Sequence, residues 1–408
     1  MKVHIIGNLN PFNIGSRLLI LTLTNYLSTK IPLIQFTKES LFPSFEEKIY
    51  PMCRCRKSMK SSIILFTTSF IRVLLWKAFK MLNMDVTALL NEPLRQYYEA
   101  NVIIELSGDG LCPPQSRSLW YSLTKIIFKL VNLISIASAL LLNKKVVLYS
   151  ASIGNLGILS PLANIILNKV ELIAVRDHES LKYLKRIGVT KPIILFAPDA
   201  AFSITPIKKP PKNQHQPTVG FNISTEAVQH FHGKPQQIAE IMSSLITYVS
   251  ENYDATILLI PFSIGGPFRY DDDRIFLNEL LKKADRNNVH TVRSNDSNSI
   301  MNAIAKCDVL ITTRMHPAIV SLLYGIPPLV ISHSFKFHGL MELIECKDLL
   351  CFSSQINSET LKSKFRYIWE NKETLHSRIE EKAFLLRNLS LEGLNKMTYI
   401  LHKIINMK

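Results

Sequence analysis

Positions 308–340 constrain the fold of this chain more than any other stretch. Val309, Leu310 and Ile311 form an apolar run that stops at Thr312 and Thr313, the signature of a short buried strand. Arg314, Met315 and His316 then open a helix, with Pro317 in its first turn, where a missing N–H costs little. Gly325 is a C-terminal stop for that helix, and positions 329–332 return as a second apolar strand. A strand–helix–strand unit of this kind places the chain in the α/β class, with strands buried on both faces.

The same plan recurs towards the N-terminus. A strand over 3–6 runs into a loop containing Asn13, Gly15 and Ser16, and a helix is expected over 17–27. Further strands over 101–106, 146–150, 171–175 and 192–197 each end in a turn or a polar junction. Those ends are Ser107-Gly108-Asp109-Gly110-Leu111, Ser150 to Gly154, Arg176-Asp177 and Pro198-Asp199. Positions 206–217, PIKKPPKNQHQP, carry four prolines and no apolar periodicity, which marks a linker. A second α/β unit follows, with strands over 219–223 and 255–260 and helices over 235–251 and 298–306. The expected organisation is a Rossmann-like domain over 1–205, the linker 206–217, a second Rossmann-like domain over 218–358 and a helical extension over 359–408.

Composition narrows the partners. The 408 residues carry a formal charge of +16, which favours phosphorylated substrates, acidic glycans, lipid headgroups or nucleic acid. The basic residues are dispersed and no recognised nucleic-acid module appears, so nucleic acid is not expected as a partner. Positions 61–84 are apolar but interrupted by Arg72, Lys77 and Lys80, too charged to cross a bilayer. They read either as a helix packed on a sheet or as a basic amphipathic helix lying against anionic lipid. Cys53 and Cys55 are spaced too tightly for a usual zinc site, and the cysteines show no regular disulfide framework. A cytoplasmic protein, at most peripheral at the inner face of the membrane, is the expectation.

Residues suited to chemistry gather at strand ends. Arg314 can grip a carboxylate or phosphate with two hydrogen bonds, and His316 can move a proton near neutral pH. The alternative is an arginine capping the sheet edge and a histidine satisfied by backbone. Asn13 and Gly15 offer donors to an anion, and Gly108 and Gly110 let backbone approach a ligand closely. Arg176 has the same junction position as Arg314, or makes a surface contact with Asp177 or Glu179. Asp271, Asp272 and Asp273 read as a solvated helix start rather than as magnesium ligands. The loop after the first strand has neither GxGxxG nor GxxxxGK[ST], so no dinucleotide or P-loop site is expected.

Taken in order, Asn13-Ile14-Gly15, Ser107 to Leu111, Ser152-Ile153-Gly154, Val175-Arg176-Asp177-His178-Glu179-Ser180, Pro198 to Phe202, Arg314-Met315-His316, Gly325-Ile326-Pro327 and Lys336 carry a resemblance. The chain resembles the polysaccharide pyruvyl transferase family over roughly 3–345. The resemblance implies two Rossmann-like domains in a GT-B-type arrangement with an interdomain cleft. It also implies transfer of pyruvate from phosphoenolpyruvate to two hydroxyls of a cell-surface sugar or lipid-linked precursor, forming a ketal and releasing phosphate. In that scheme Arg176 and Arg314 hold the donor's carboxylate and phosphate and His316 is the general acid. Lys336 either stabilises the leaving phosphate or is a solvated lysine. No metal or cofactor is required. Ser16 stands where the family usually has an aspartate, Asp109 sits in the middle of the glycine turn, and Phe262 stands where a histidine is frequent. A GT-B glycosyltransferase using a nucleotide-sugar and a non-catalytic glycan- or anion-binding relative are the alternatives.

Overall fold

A computed structural model describes the chain except residues 8–9, 39–58, 85, 107, 113–118, 207–215, 230, 232–233, 267–268, 285, 333–334 and 407–408. Cys53, Cys55 and most of the expected linker lie outside the described residues. The contacts divide the chain into two units. The first comprises Met1–Pro11, Leu19–Ala200 and Leu389–Lys408, and the second comprises Phe12–Leu18 and Ala201–Asn388.

The first unit is built on a six-stranded parallel sheet. Its strands are β1 (Lys2–Ile6), β2 (Gln35–Lys38), β3 (Val102–Glu105), β4 (Lys145–Ala151), β5 (Leu172–Val175) and β6 (Ile193–Phe196), in the order β2-β1-β3-β4-β5-β6. The inner strands are mostly apolar and covered on both faces: β3 (VIIE) and β5 (LIAV) are buried at every position, Glu105 included. Ile103, Val146, Leu148 and Ile173 share one core with Val73 and Trp76 of the helix Met59–Met81 and Leu133 and Ile136 of the helix Leu119–Leu141.

The second unit repeats the scheme with β7 (Thr218–Asn222), β8 (Thr256–Leu259), β9 (Val289–Thr291), β10 (Val309–Thr312), β11 (Pro328–Ser332) and β12 (Leu350–Phe352). All are parallel in the order β12-β11-β10-β7-β8-β9. That order is doubly wound, and its direction reverses between β7 and β10. Ligands of open parallel sheets bind beyond the carboxyl ends of the strands at such a reversal.

Two long helices divide between the units. The first turn of the helix Ile14–Lys30 belongs with the second unit, and the last part of the helix Lys372–Asn406 belongs with the first. Of the residues 359–408, those up to Asn388 group with the second unit and those from Leu389 with the first. Leu361, Phe365 and Ile368 are buried on the helix Ser358–Glu370, and Leu394, Met397 and Leu401 are buried farther on, so each part follows its own apolar face.

Candidate active site

In the second unit the two strands at the reversal are joined at their carboxyl ends. Thr312 Oγ1 donates to Asn222 Oδ1 at 2.9 Å, and Asn222 Nδ2 donates to the Ile260 carbonyl at 2.7 Å. Thr313 Oγ1 accepts the Ser224 N–H at 2.7 Å. These buried polar residues satisfy one another where the apolar strands end, and they fix the position of Arg314. Arg314 precedes the helix Met315–Leu323 and takes extended backbone angles there.

Its guanidinium turns onto Asp273. Nε donates to Oδ2 at 2.9 Å and Nη2 to Oδ1 at 2.7 Å, a bidentate pair. Asp273 begins the helix Asp273–Ala284, is fully buried, and also accepts the N–H groups of Phe262 and Ser263 at 3.0 and 2.9 Å. Burial works against the Arg314 charge. Attraction and hydrogen bonding from Asp273, helped by Glu226 and Asp271, outweigh that penalty and raise the arginine's pKa. The expected solvated helix start is corrected here. Asp273 is the internal partner of Arg314, while Asp272 chelates the Arg274 side chain. Among the described residues no group of acids, histidines or cysteines is placed to hold a metal ion.

His316 lies in the first turn after Arg314, half-buried. Gly15 lies against its ring: a Cβ added at Gly15 would sit 2.3 Å from Nδ1 and 2.8 Å from Cγ. Only a residue without a side chain admits this approach. Asn13 Oδ1 accepts the Gly15 N–H at 2.8 Å and caps the helix Ile14–Lys30. The segment is held down by an antiparallel bridge between Asn13 and Ser263, and by the Ile14 N–H on the Phe262 carbonyl at 2.9 Å. Phe262 is buried in the apolar core with Ile14 and Leu18. Asn13, Gly15, Arg314 and His316 are thus brought together on one scaffold. Lys336 sits one strand farther along the sheet, on the helix Phe335–Leu343, with its ammonium 5.8 Å from the centre of the Phe337 ring.

Arg176 follows β5 of the first unit and is only 5% exposed. It pairs with Asp199, and its Nε donates to Ser152 Oγ at 2.8 Å. Ser152 Oγ donates in turn to Asp177 Oδ2 at 2.7 Å, and Asp177 caps the helix His178–Arg186 through the Ser180 N–H. Burial opposes the charge of Arg176, while Asp199 and Asp109 raise its pKa. The partner is neither Asp177 nor Glu179, and the contact is not at the surface. Gly108, with a φ of +63°, brings its backbone against this guanidinium; a Cβ there would lie 3.6 Å from Nη1 and Nη2. Its carbonyl accepts the Ser152 N–H at 2.7 Å, and the Gly110 carbonyl accepts from Asn132 at 3.0 Å. The pairings of Arg176 with Asp199 and Ser152, of Arg314 with Asp273 and of Thr312 with Asn222 are not revealed by spacing, since each partner lies far away in the chain.

The sequence profile described as "Polysaccharide pyruvyl transferase" matches residues 13–334, from Asn13 through the Arg314–His316 junction. The chain belongs to the polysaccharide pyruvyl transferase family. It is similar to the amylovoran biosynthesis protein AmsJ of Erwinia amylovora, with 22% identity over 232 residues, 53% of this chain and 56% of that protein. The chain thus matches little more than half the length of that family relative. Among solved structures it is similar to sucrose-phosphate synthase from Thermosynechococcus elongatus, with a TM-score of 0.60, 13% identity and 100% of both chains covered. It is also similar to a putative UDP-N-acetylglucosamine 2-epimerase from Listeria monocytogenes, with a TM-score of 0.61, 12% identity and coverage of 98% and 97%. These likenesses establish the fold, two Rossmann-like units of the GT-B class.

Proposed function

We propose that the protein transfers pyruvate from phosphoenolpyruvate to a pair of hydroxyls on a sugar of a polysaccharide or its precursor. The observation that carries this reading is the Arg314–His316 junction at the sheet reversal, inside the matched family region. Phosphoenolpyruvate presents a carboxylate, a phosphate and an electron-rich methylene carbon. With Nε and Nη2 of Arg314 fixed by Asp273, the remaining Nη1 edge is oriented for one anionic group of the donor. His316 gives its proton to the methylene carbon, leaving C2 cation-like, and a sugar hydroxyl adds there with loss of its own proton. The C2–O bond to phosphate then breaks with its electron pair leaving on phosphate. The second hydroxyl adds to C2 to close the ketal, giving its proton to the departing phosphate. Lys336 is assigned to the departing phosphate. Arg176 of the first unit is held by Asp199 and Ser152 much as Arg314 is held by Asp273.

The test is a kinetic comparison of Arg314→Ala and His316→Ala, reading phosphate release in the presence of candidate acceptor sugars. Arg314→Ala should raise KM for phosphoenolpyruvate or abolish binding. His316→Ala should keep donor binding and lower kcat by about 100-fold or more, the range of a lost general acid. Equal loss of donor binding in both variants would overturn the assigned roles.

A further inference from the structure

The helix Met59–Met81 has two apolar faces, and the structure buries only one. Phe66, Ser69, Val73 and Trp76 are buried and face the core shared with the helix Leu119–Leu141. At 100° per residue, Ile71, Leu74 and Leu75 fall on roughly the opposite side. They are 48%, 46% and 44% exposed, and the chain beyond continues the pattern with Met81 at 77% and Leu82 at 69%. A helix apolar on both sides normally lies inside a protein or against lipid. The adjoining helix exposes Ile127 and Phe128 as well.

The charges on this helix are of one sign. Arg72, Lys77 and Lys80 lie along it, Lys129 of the adjoining helix is buried, and neither helix contains an aspartate or glutamate. Arg72 and Lys77 flank the exposed stripe, tethered by the Leu89 carbonyl and the Asn143 side chain at 3.0 and 2.7 Å. Tethering holds the charges at the edges of the apolar stripe without neutralising them. Among the described residues no helix is long and apolar enough to cross a membrane. We propose that this face docks the first unit onto an anionic phospholipid surface, with Ile71, Leu74 and Leu75 entering the acyl boundary and the basic residues meeting the headgroups. A sugar substrate carried on a lipid would then be met at the membrane where it resides.

The experiment is co-sedimentation of the full chain with vesicles of phosphatidylcholine alone or mixed equally with phosphatidylglycerol. The wild type should sediment with the mixed vesicles at low salt, release as salt rises and ignore phosphatidylcholine. Leu74→Glu/Leu75→Glu should weaken partition by about tenfold or more with an unchanged thermal midpoint. Met81→Glu/Leu82→Glu is the second variant should the first fail to fold. A wild type that stays in the supernatant with mixed vesicles at low salt overturns the proposal. Full binding by a folded stripe variant also overturns it, as does a dimer in light scattering that the stripe variants dissociate without any vesicle binding.

Discussion

Gly15 ties the loop after β1 to the chemistry of His316. Any side chain at position 15 claims the space of the imidazole, since its first carbon would stand 2.3 Å from Nδ1. Gly15→Ala should lower kcat by about 100-fold by displacing the acid. Its stability cost should be about 1–3 kcal/mol, the usual range for overpacking. Denaturant melts and phosphate-release kinetics on the same sample separate the two effects; wild-type kcat would contradict the assignment. Asp273 offers a different separation. Asp273→Ala strands a buried guanidinium and should cost about 3–5 kcal/mol in urea unfolding. Replacing both partners, Asp273→Leu with Arg314→Met, removes the stranded charge but leaves the Phe262 and Ser263 N–H groups without their acceptor. It should therefore recover only part of that stability and none of the donor binding. Arg314, His316, Asn13 and Gly15 are legible in the sequence because each belongs to a local strand-end pattern. Asp273 is not, because its partner lies 41 positions away and three adjacent aspartates read equally well as a wet helix start.

At the scale of elements, β1 carries a titratable group inside the sheet. His4 is fully buried, with Nδ1 2.8 Å from Thr37 Oγ1 on β2 and its ring 4.9 Å from Tyr97. Burial, and to a lesser degree the charge of Lys2, push its pKa down from 6.5 to about 3. The sign follows from linkage: between those values the unfolded chain binds a proton that the native state refuses, so stability falls as pH drops below about 6.5. Between pH 6.5 and 5 this one group should cost about 2 kcal/mol, and His4→Gln should flatten that slope in urea titrations across the range. An unchanged slope would show that His4 is not held neutral. The sequence also shows why some strands escape reading. β2 and β9 are short edge strands with partly exposed patterns and no continuous apolar run, and β12, another edge strand, is apolar but only three residues long. The central strands, buried on both faces, announce themselves as runs rich in Val, Ile and Leu. The two faces of the helix Met59–Met81 are legible as an apolar segment, but not which face is covered.

At the scale of the whole molecule, two doubly wound units account for the fold, and the Arg314–His316 junction accounts for the proposed reaction. The expected boundary near 206–217 and the structural division between Ala200 and Ala201 differ because packing, not proline content, defines a unit. Residues 12–18 and 389–408 group with the unit they pack in, which no composition shift could signal. The fold class is shared with enzymes of other chemistry, so the donor must be decided at the site. The most direct measurement is a thermal shift of the full chain against phosphoenolpyruvate and a panel of nucleotide-sugars, with Arg314→Ala alongside. Phosphoenolpyruvate should raise the thermal midpoint by the amount mass action gives, and the rise should be lost in Arg314→Ala. A rise with a nucleotide-sugar and none with phosphoenolpyruvate would contradict it.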